Sequence, residues 1–144
     1  MKRAAVAVAL TAALTMLTGC NSSSPAPRTN VGNYPHTVVT INDSNRGQTV
    51  VLHTGGQLRV ILASTYWQFQ PPTNETVLSP HDGTHVIPQL AHCVPGGGCG
   101  TVIQVYDART VGSSVVTATR TSCGEAMGCT ASTGKIEFFV NVQG

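Results

Sequence analysis

The stretch KIEFFVNV, residues 135–142, alternates with a period of two. Ile136, Phe138, Val140 and Val142 fall on one side; Glu137 and Asn141 fall on the other, with Phe139 among them. Successive side chains of a β-strand point to opposite faces, so this segment reads as a strand with one face set against a core. The same period recurs upstream. QLRVILA, residues 57–63, lines up Leu58, Val60 and Leu62, and GTVIQVYDA, residues 100–108, and SVVTATRT, residues 114–121, are rich in Val, Thr and Ile. HTVVTIN, residues 36–42, stops at the turn sequence Asp43-Ser44-Asn45-Arg46-Gly47. Residues 48–53 follow and break at Thr54-Gly55-Gly56. The aromatic-rich 66–70 ends at Pro71-Pro72, and 76–79 and 83–89 are shorter strand candidates.

Outside the first twenty residues no window carries a helical period. Seven to nine short strands in roughly a hundred residues predict an all-β domain, an immunoglobulin-like β-sandwich. Trp67 precedes all four cysteines of the domain, so the Cys…Trp…Cys order of antibody domains is absent and the likeness is one of architecture.

The N-terminus has a different character. Lys2 and Arg3 precede an uncharged apolar run that ends in Leu17-Thr18-Gly19-Cys20. A basic start, a short apolar stretch and small residues before the end describe a signal peptide, and the run is too short to span a bilayer. Its last four residues are similar to the bacterial lipobox, which implies cleavage after residue 19 and a diacylglyceryl group on Cys20. The expectation is a signal peptide over 1–19, a lipidated Cys20 with a flexible tether over 20–36, and a folded domain over 37–144. NSSSPAPRTNVGNYPH, residues 21–36, has almost no large apolar side chains to offset the entropy of ordering, as a tether should. The expected location is the extracytoplasmic face of the cell membrane, held by the lipid, with no cofactor beyond it.

Charge narrows the partners. The chain carries eight Lys and Arg against six Asp and Glu. Without Lys2 and Arg3 the balance is six against six, and no basic cluster remains to neutralise phosphates, so nucleic acid is not expected as a partner. Acidic residues are sparse in the middle loops, where Glu75 and Asp82 stand alone, which disfavours a glycosidase pair. No G-x-S-x-G elbow supports a hydrolytic triad, and the chain is not expected to be an enzyme.

Cys93, Cys99, Cys123 and Cys129 form two C-x5-C loops, VPGGG and GEAMG. An even number of cysteines in an exported domain points to disulfides, and tetrahedral zinc generally wants tighter spacing. Four cysteines allow three pairings; local pairing of Cys93 with Cys99 and Cys123 with Cys129 is favoured over a crossed arrangement. His81, Asp82 and His85, with His92 nearby, suggest a metal site, but the glycine and turn composition favour a polar loop, and no metal is expected.

The order of features resembles the chagasin family of cysteine-peptidase inhibitors. Residues 51–62 stand where that family has L-x-V-G-x-x-L-x-V-x-L. Its loop N-P-T-T-G-Y-x-W is answered by Ala63-Ser64-Thr65-Tyr66-Trp67, which keeps Thr, Tyr and Trp but loses Asn-Pro-Thr and Gly. Its G-x-G-G-T is answered by Gly97-Gly98-Cys99-Gly100-Thr101, and Arg109 to Val115 resembles the following K-x-G element. Only Arg120 of the family's R-P-W survives, in Arg120-Thr121-Ser122, and Phe138 to Val142 matches the closing F-x-V-x-V.

The resemblance implies a non-enzymatic binding module. Its candidate contact residues are Ser64, Thr65, Tyr66 and Trp67 in one loop, Gly97, Gly98, Gly100 and Thr101 in a second, and Arg120, Thr121 and Ser122 in a third. The implied partner is a papain-like cysteine peptidase. Two other readings stand beside it: a structural or accessory module that engages another envelope protein, and a small-ligand or metal binder using the histidine loop.

Overall fold

The computed structural model describes residues 36–124 and 127–144. The expected signal segment 1–19, the lipidation residue Cys20 and the tether up to residue 35 lie outside the described residues.

Among the described residues nine strands form two sheets. The first holds β1 (Val38–Asn42), β3 (Gln57–Ala63) and β7 (Gly100–Ala108), with β5 (Leu78–Pro80) and β6 (His85–Pro88) both paired to β7. The second runs β2 (Thr49–His53), β9 (Lys135–Gln143), β8 (Gly112–Thr119) and β4 (Gln68–Phe69). This is an immunoglobulin-like sandwich, and its nine strands are the upper end of the seven to nine expected. Some edges move. The strand expected over 66–70 shrinks to Gln68–Phe69, and that expected over 83–89 to His85–Pro88.

The core comes directly from the alternation. Leu58, Val60 and Leu62 of β3 face Ile136, Phe138, Val140 and Val142 of β9, and all seven are essentially inaccessible. Val102 and Tyr106 of β7, Val116 and Ala118 of β8, and Trp67 complete the cluster. Phe69 meets Tyr106 edge to face at 6.3 Å. The Tyr106 hydroxyl has no hydrogen-bond partner among the described residues, and burial pushes its pKa above the usual tyrosine value.

Two pairings are parallel, β1 with β3 and β2 with β9. Local pattern does not announce them. After β1 the chain crosses to the other sheet through a 3-10 turn, Asp43–Asn45, capped by Asn42. It runs back as β2 and returns at Thr54-Gly55-Gly56 to enter β3. The strand β2 is thus the crossover that a parallel β1–β3 pair requires.

This path separates the two ends of the sandwich. Tight turns, 54–56 and 109–111, occupy one. His36, the first described residue, lies at that end, where its Nδ1 is 2.9 Å from the Gly55 carbonyl. The connections 43–48, 63–67, 89–99 and 120–134 gather at the other.

A braced loop cluster as candidate binding site

Segment 63–67 is the wall between the two cysteine loops. β3 ends at Ala63, and Ser64 takes φ 106, a left-handed value unusual for a side-chain-bearing residue. The reversal lets backbone donors reach across. Ser64 N–H donates to the Gly100 carbonyl and Thr65 N–H to the Gly98 carbonyl, each at 2.8 Å. Tyr66 lies half-exposed, and its hydroxyl donates to the Gly96 carbonyl at 2.7 Å. Gly98 sits at φ +63 with the Tyr66 ring against it, so any Cβ there would overlap the ring. Both the backbone angle and the close approach call for glycine.

Trp67 points the other way. It is 3% exposed, its indole N–H donates to the Ala63 carbonyl at 3.0 Å, and it belongs to the core. A role for Trp67 as an exposed aromatic anchor is therefore closed off. Arg120 covers it, with the guanidinium carbon 4.3 Å from the ring centroid, a cation–π contact that ties the third loop to the first. Arg120 Nε also donates to the Thr133 carbonyl at 3.2 Å.

The structure joins Cys93 to Cys99 and Cys123 to Cys129. The first bridge closes a turn in which Gly97 N–H donates to the Val94 carbonyl at 2.9 Å. The second closes one in which Cys123 N–H donates to the Met127 carbonyl at 2.9 Å, and Ser122 bridges Gly128. Thr130 and Thr133 fasten the return to β9, and the Arg46 guanidinium donates to the Ser132 carbonyl.

Of the residues singled out in the sequence, Ser64, Thr65, Tyr66, Gly97 and Gly98 meet in one contiguous patch. Gly100 and Thr101 open β7 at its edge, and Arg120, Thr121 and Ser122 lie across Trp67 from it. The sequence did not flag the apolar side chains that the two loops expose: Leu90 at 83%, Met127 at 65% and Val94 at 50%. For Val94 and Met127 the available signal is an apolar residue inside a short, glycine-containing, cysteine-bounded loop, where it has no core to join.

The histidines are engaged separately. His81 Nδ1 is 3.0 Å from Asp107, which also accepts from Gln57 Nε2 at 2.9 Å. The hydrogen bond and charge of Asp107 raise the His81 pKa. Burial works to raise the Asp107 pKa, but the hydrogen bonds from Gln57 and His81 outweigh it and hold the carboxyl below its ordinary value. His85 Nε2 lies 2.7 Å from Asp82. His92 stands apart in the loop at φ 63. No group of three side chains able to hold a metal ion occurs among the described residues.

No protein-family model matches the chain, and no curated protein matches it by sequence. Solved structures do resemble it. The solution structure of Amebosin aligns at TM-score 0.52 and 16% identity, covering 74% of this chain and 98% of that one. The cysteine protease inhibitor EhICP2 from Entamoeba histolytica aligns at TM-score 0.53 and 7% identity, covering 74% of this chain and 96% of that one. At these identities the likeness is one of fold alone.

Proposed function

We propose that this domain is an inhibitor module for a papain-like cysteine peptidase, held outside the cytoplasm by a lipid on Cys20. The observation that carries the reading is the bracing of three loops at one end of a chagasin-like sandwich. Segment 63–67 is hydrogen-bonded to the first cysteine loop and packed through Trp67 on the base of the second. Loops fixed before contact lose little conformational entropy on binding. Leu90, Val94 and Met127 supply exposed apolar surface, and half-buried Tyr66 a rigid ring. All four loop cysteines are in bridges, so inhibition would work by occluding the peptidase cleft, without a covalent bond to a domain thiol. The chain enters the domain at the opposite end from these loops, an arrangement suited to displaying them from a tether. The neighbour EhICP2, a cysteine protease inhibitor, agrees with this reading.

The test is titration of the oxidised protein against papain and a cathepsin-like peptidase. Nanomolar inhibition that disappears in the double variant Leu90→Asp, Val94→Asp is the expected result. No inhibition at micromolar protein would mean that the scaffold alone is shared. A non-inhibitory envelope module is the second reading. Burial of Trp67 favours it, since the aromatic best suited to anchoring a partner is spent in the core. Under that reading the titration is silent and the same loops engage another envelope protein.

A further inference from the structure

A second surface lies on the side of the sandwich, away from the loop end. Outward positions of a sandwich strand are ordinarily polar. On the first sheet an apolar strip lies among polar outward residues such as Gln57, Arg59, Thr101 and Asp107. Ile103 and Val105 of β7 face away from the core, as do Val38 of β1 and Ile87 of β6, and Val86 of β6 borders the same groove. With Gln57, Arg59 and His85 they enclose a groove of about 520 Å³. Val38, Val86 and Ile87 are each at least 51% exposed, while Ile103, the floor, is only 7% exposed although it points outward.

The charge in the groove is unbalanced. His85 faces Asp82, but Arg59 has no acidic partner among the described residues. A lone guanidinium beside an apolar floor suits a ligand with one carboxylate and an apolar body, because a fork of N–H donors matches carboxylate geometry.

The form of that body follows from the sheet. β3 and β7 are both paired on their two sides, so the floor offers no free backbone donor or acceptor. An extended peptide laid there would leave its amides unpaired over isoleucine and valine. A second copy of the chain is also a poor occupant. The groove is lined by eight residues, well short of the roughly 20–30 that each partner contributes to a stable interface. An alkyl chain has no amides to satisfy, and the Val and Ile side chains of the lining suit it. The volume is within the range of small-molecule sites.

We infer that this groove binds an aliphatic monocarboxylate, with the carboxylate on Arg59 and the alkyl chain along Ile103, Val105 and Ile87. The site is separate from the loop end and is tested without a peptidase. The probe is decanoate, titrated into the purified protein and followed by methyl NMR. Saturable shifts confined to Val38, Ile87, Ile103 and Val105 are expected. Binding should weaken about tenfold in Arg59→Gln and for decanol in place of decanoate, the loss of one charge-assisted contact. Ile87→Asn, a change at an exposed position, should weaken it while leaving the circular dichroism spectrum unchanged. Absence of saturation, shifts spread over both sheets, or unaltered affinity in Arg59→Gln would each overturn the assignment. So would saturable binding of an acidic amphipathic helical peptide with none of decanoate, which would hand the face to a protein partner.

Discussion

The two cysteine loops have the same spacing and the same sequence separation of 6, but they are held in different ways. The first leans on its neighbour by hydrogen bonds: Thr65 to Gly98, Ser64 to Gly100 and Tyr66 to Gly96. The second closes mainly on itself, through Cys123 with Met127 and Cys129 with Thr121, and reaches the body through Arg120 over Trp67. Tyr66 and Trp67 are adjacent and point to opposite sides, one serving each loop. The same covalent staple thus does different jobs. It rigidifies a loop already built into the end of the sandwich in one case, and shapes a local turn at the end of a strand pair in the other.

The largest expected effect comes from breaking the support of the second loop. Trp67→Ala removes a core ring and the platform for Arg120, and should destabilise the domain by about 3–5 kcal/mol in denaturant unfolding. Tyr66→Phe deletes one hydrogen bond of the first loop and should cost only about 1 kcal/mol. Near-equal losses would mean that the two residues share one environment and that the contrast is wrong.

Removal of the staples sharpens the same contrast. Chain-entropy arguments give each seven-residue ring roughly 2–2.5 kcal/mol, so the paired Cys→Ala variants should lose similar global stability. Hydrogen exchange should separate them. Without Cys93 and Cys99, the Ser64 and Thr65 amides stay protected by their bonds to Gly100 and Gly98. Without Cys123 and Cys129, the Cys123 and Met127 positions lose protection altogether. If the Thr65 amide opened as readily, the staple and not the hydrogen bonds would be holding the first loop.

Glycine substitutions make a finer comparison. Gly98 and Gly124 both have positive φ, +63 and +115, but only Gly98 has a ring in the space where a Cβ would go, and Gly124 has nothing within 4 Å. Gly124→Ala should cost about 1 kcal/mol from backbone strain alone. Gly98→Ala should cost about 2–3 kcal/mol, since displacement of Tyr66 adds to that strain. Under the inhibitor reading, Gly98→Ala also weakens inhibition, whereas Gly124→Ala leaves it near the parent value.

Much of this was legible in the sequence, and the exceptions have causes. The alternation of residues 135–142 and 57–63 places the core correctly because period-two burial is a local property. The parallel partnerships of β1 and β2 depend on which sheet the chain enters next, and nothing within five residues records that. Alternation also says that Tyr66 and Trp67 point apart, but not which one turns inward. The left-handed Ser64 decides it, and serine gives no warning of that conformation. Leu90 and Val94 give no periodic signal, because single apolar residues between turns carry no period.

The smallest expected effect is a pH response confined to one loop. The first loop is fed by β6, and β6 by the crossing 81–84, where His81 N–H donates to the Val105 carbonyl at 2.9 Å and its ring faces Asp107. The pKa of His81 is raised above 6.5, so its contribution is complete below about that pH and is lost as pH rises through the folded value. Asp107 is lowered below 3.8, so its contribution is present above that value and fades as pH falls through the folded pKa. The clamp is therefore intact in the window between. Groups facing His81 also include Asp82, which raises its pKa further, and Arg109, which opposes it. The described part of the second loop, 120–124 and 127–134, carries neither carboxylate nor histidine. After correction for intrinsic rate, exchange of the His81 amide should therefore quicken from pH 6 to pH 8 while that of Cys129 does not change. Asp107→Asn should abolish the difference. A matching response in the second loop would show that pH acts on the sandwich as a whole, and the two loops would then have to be treated as one unit.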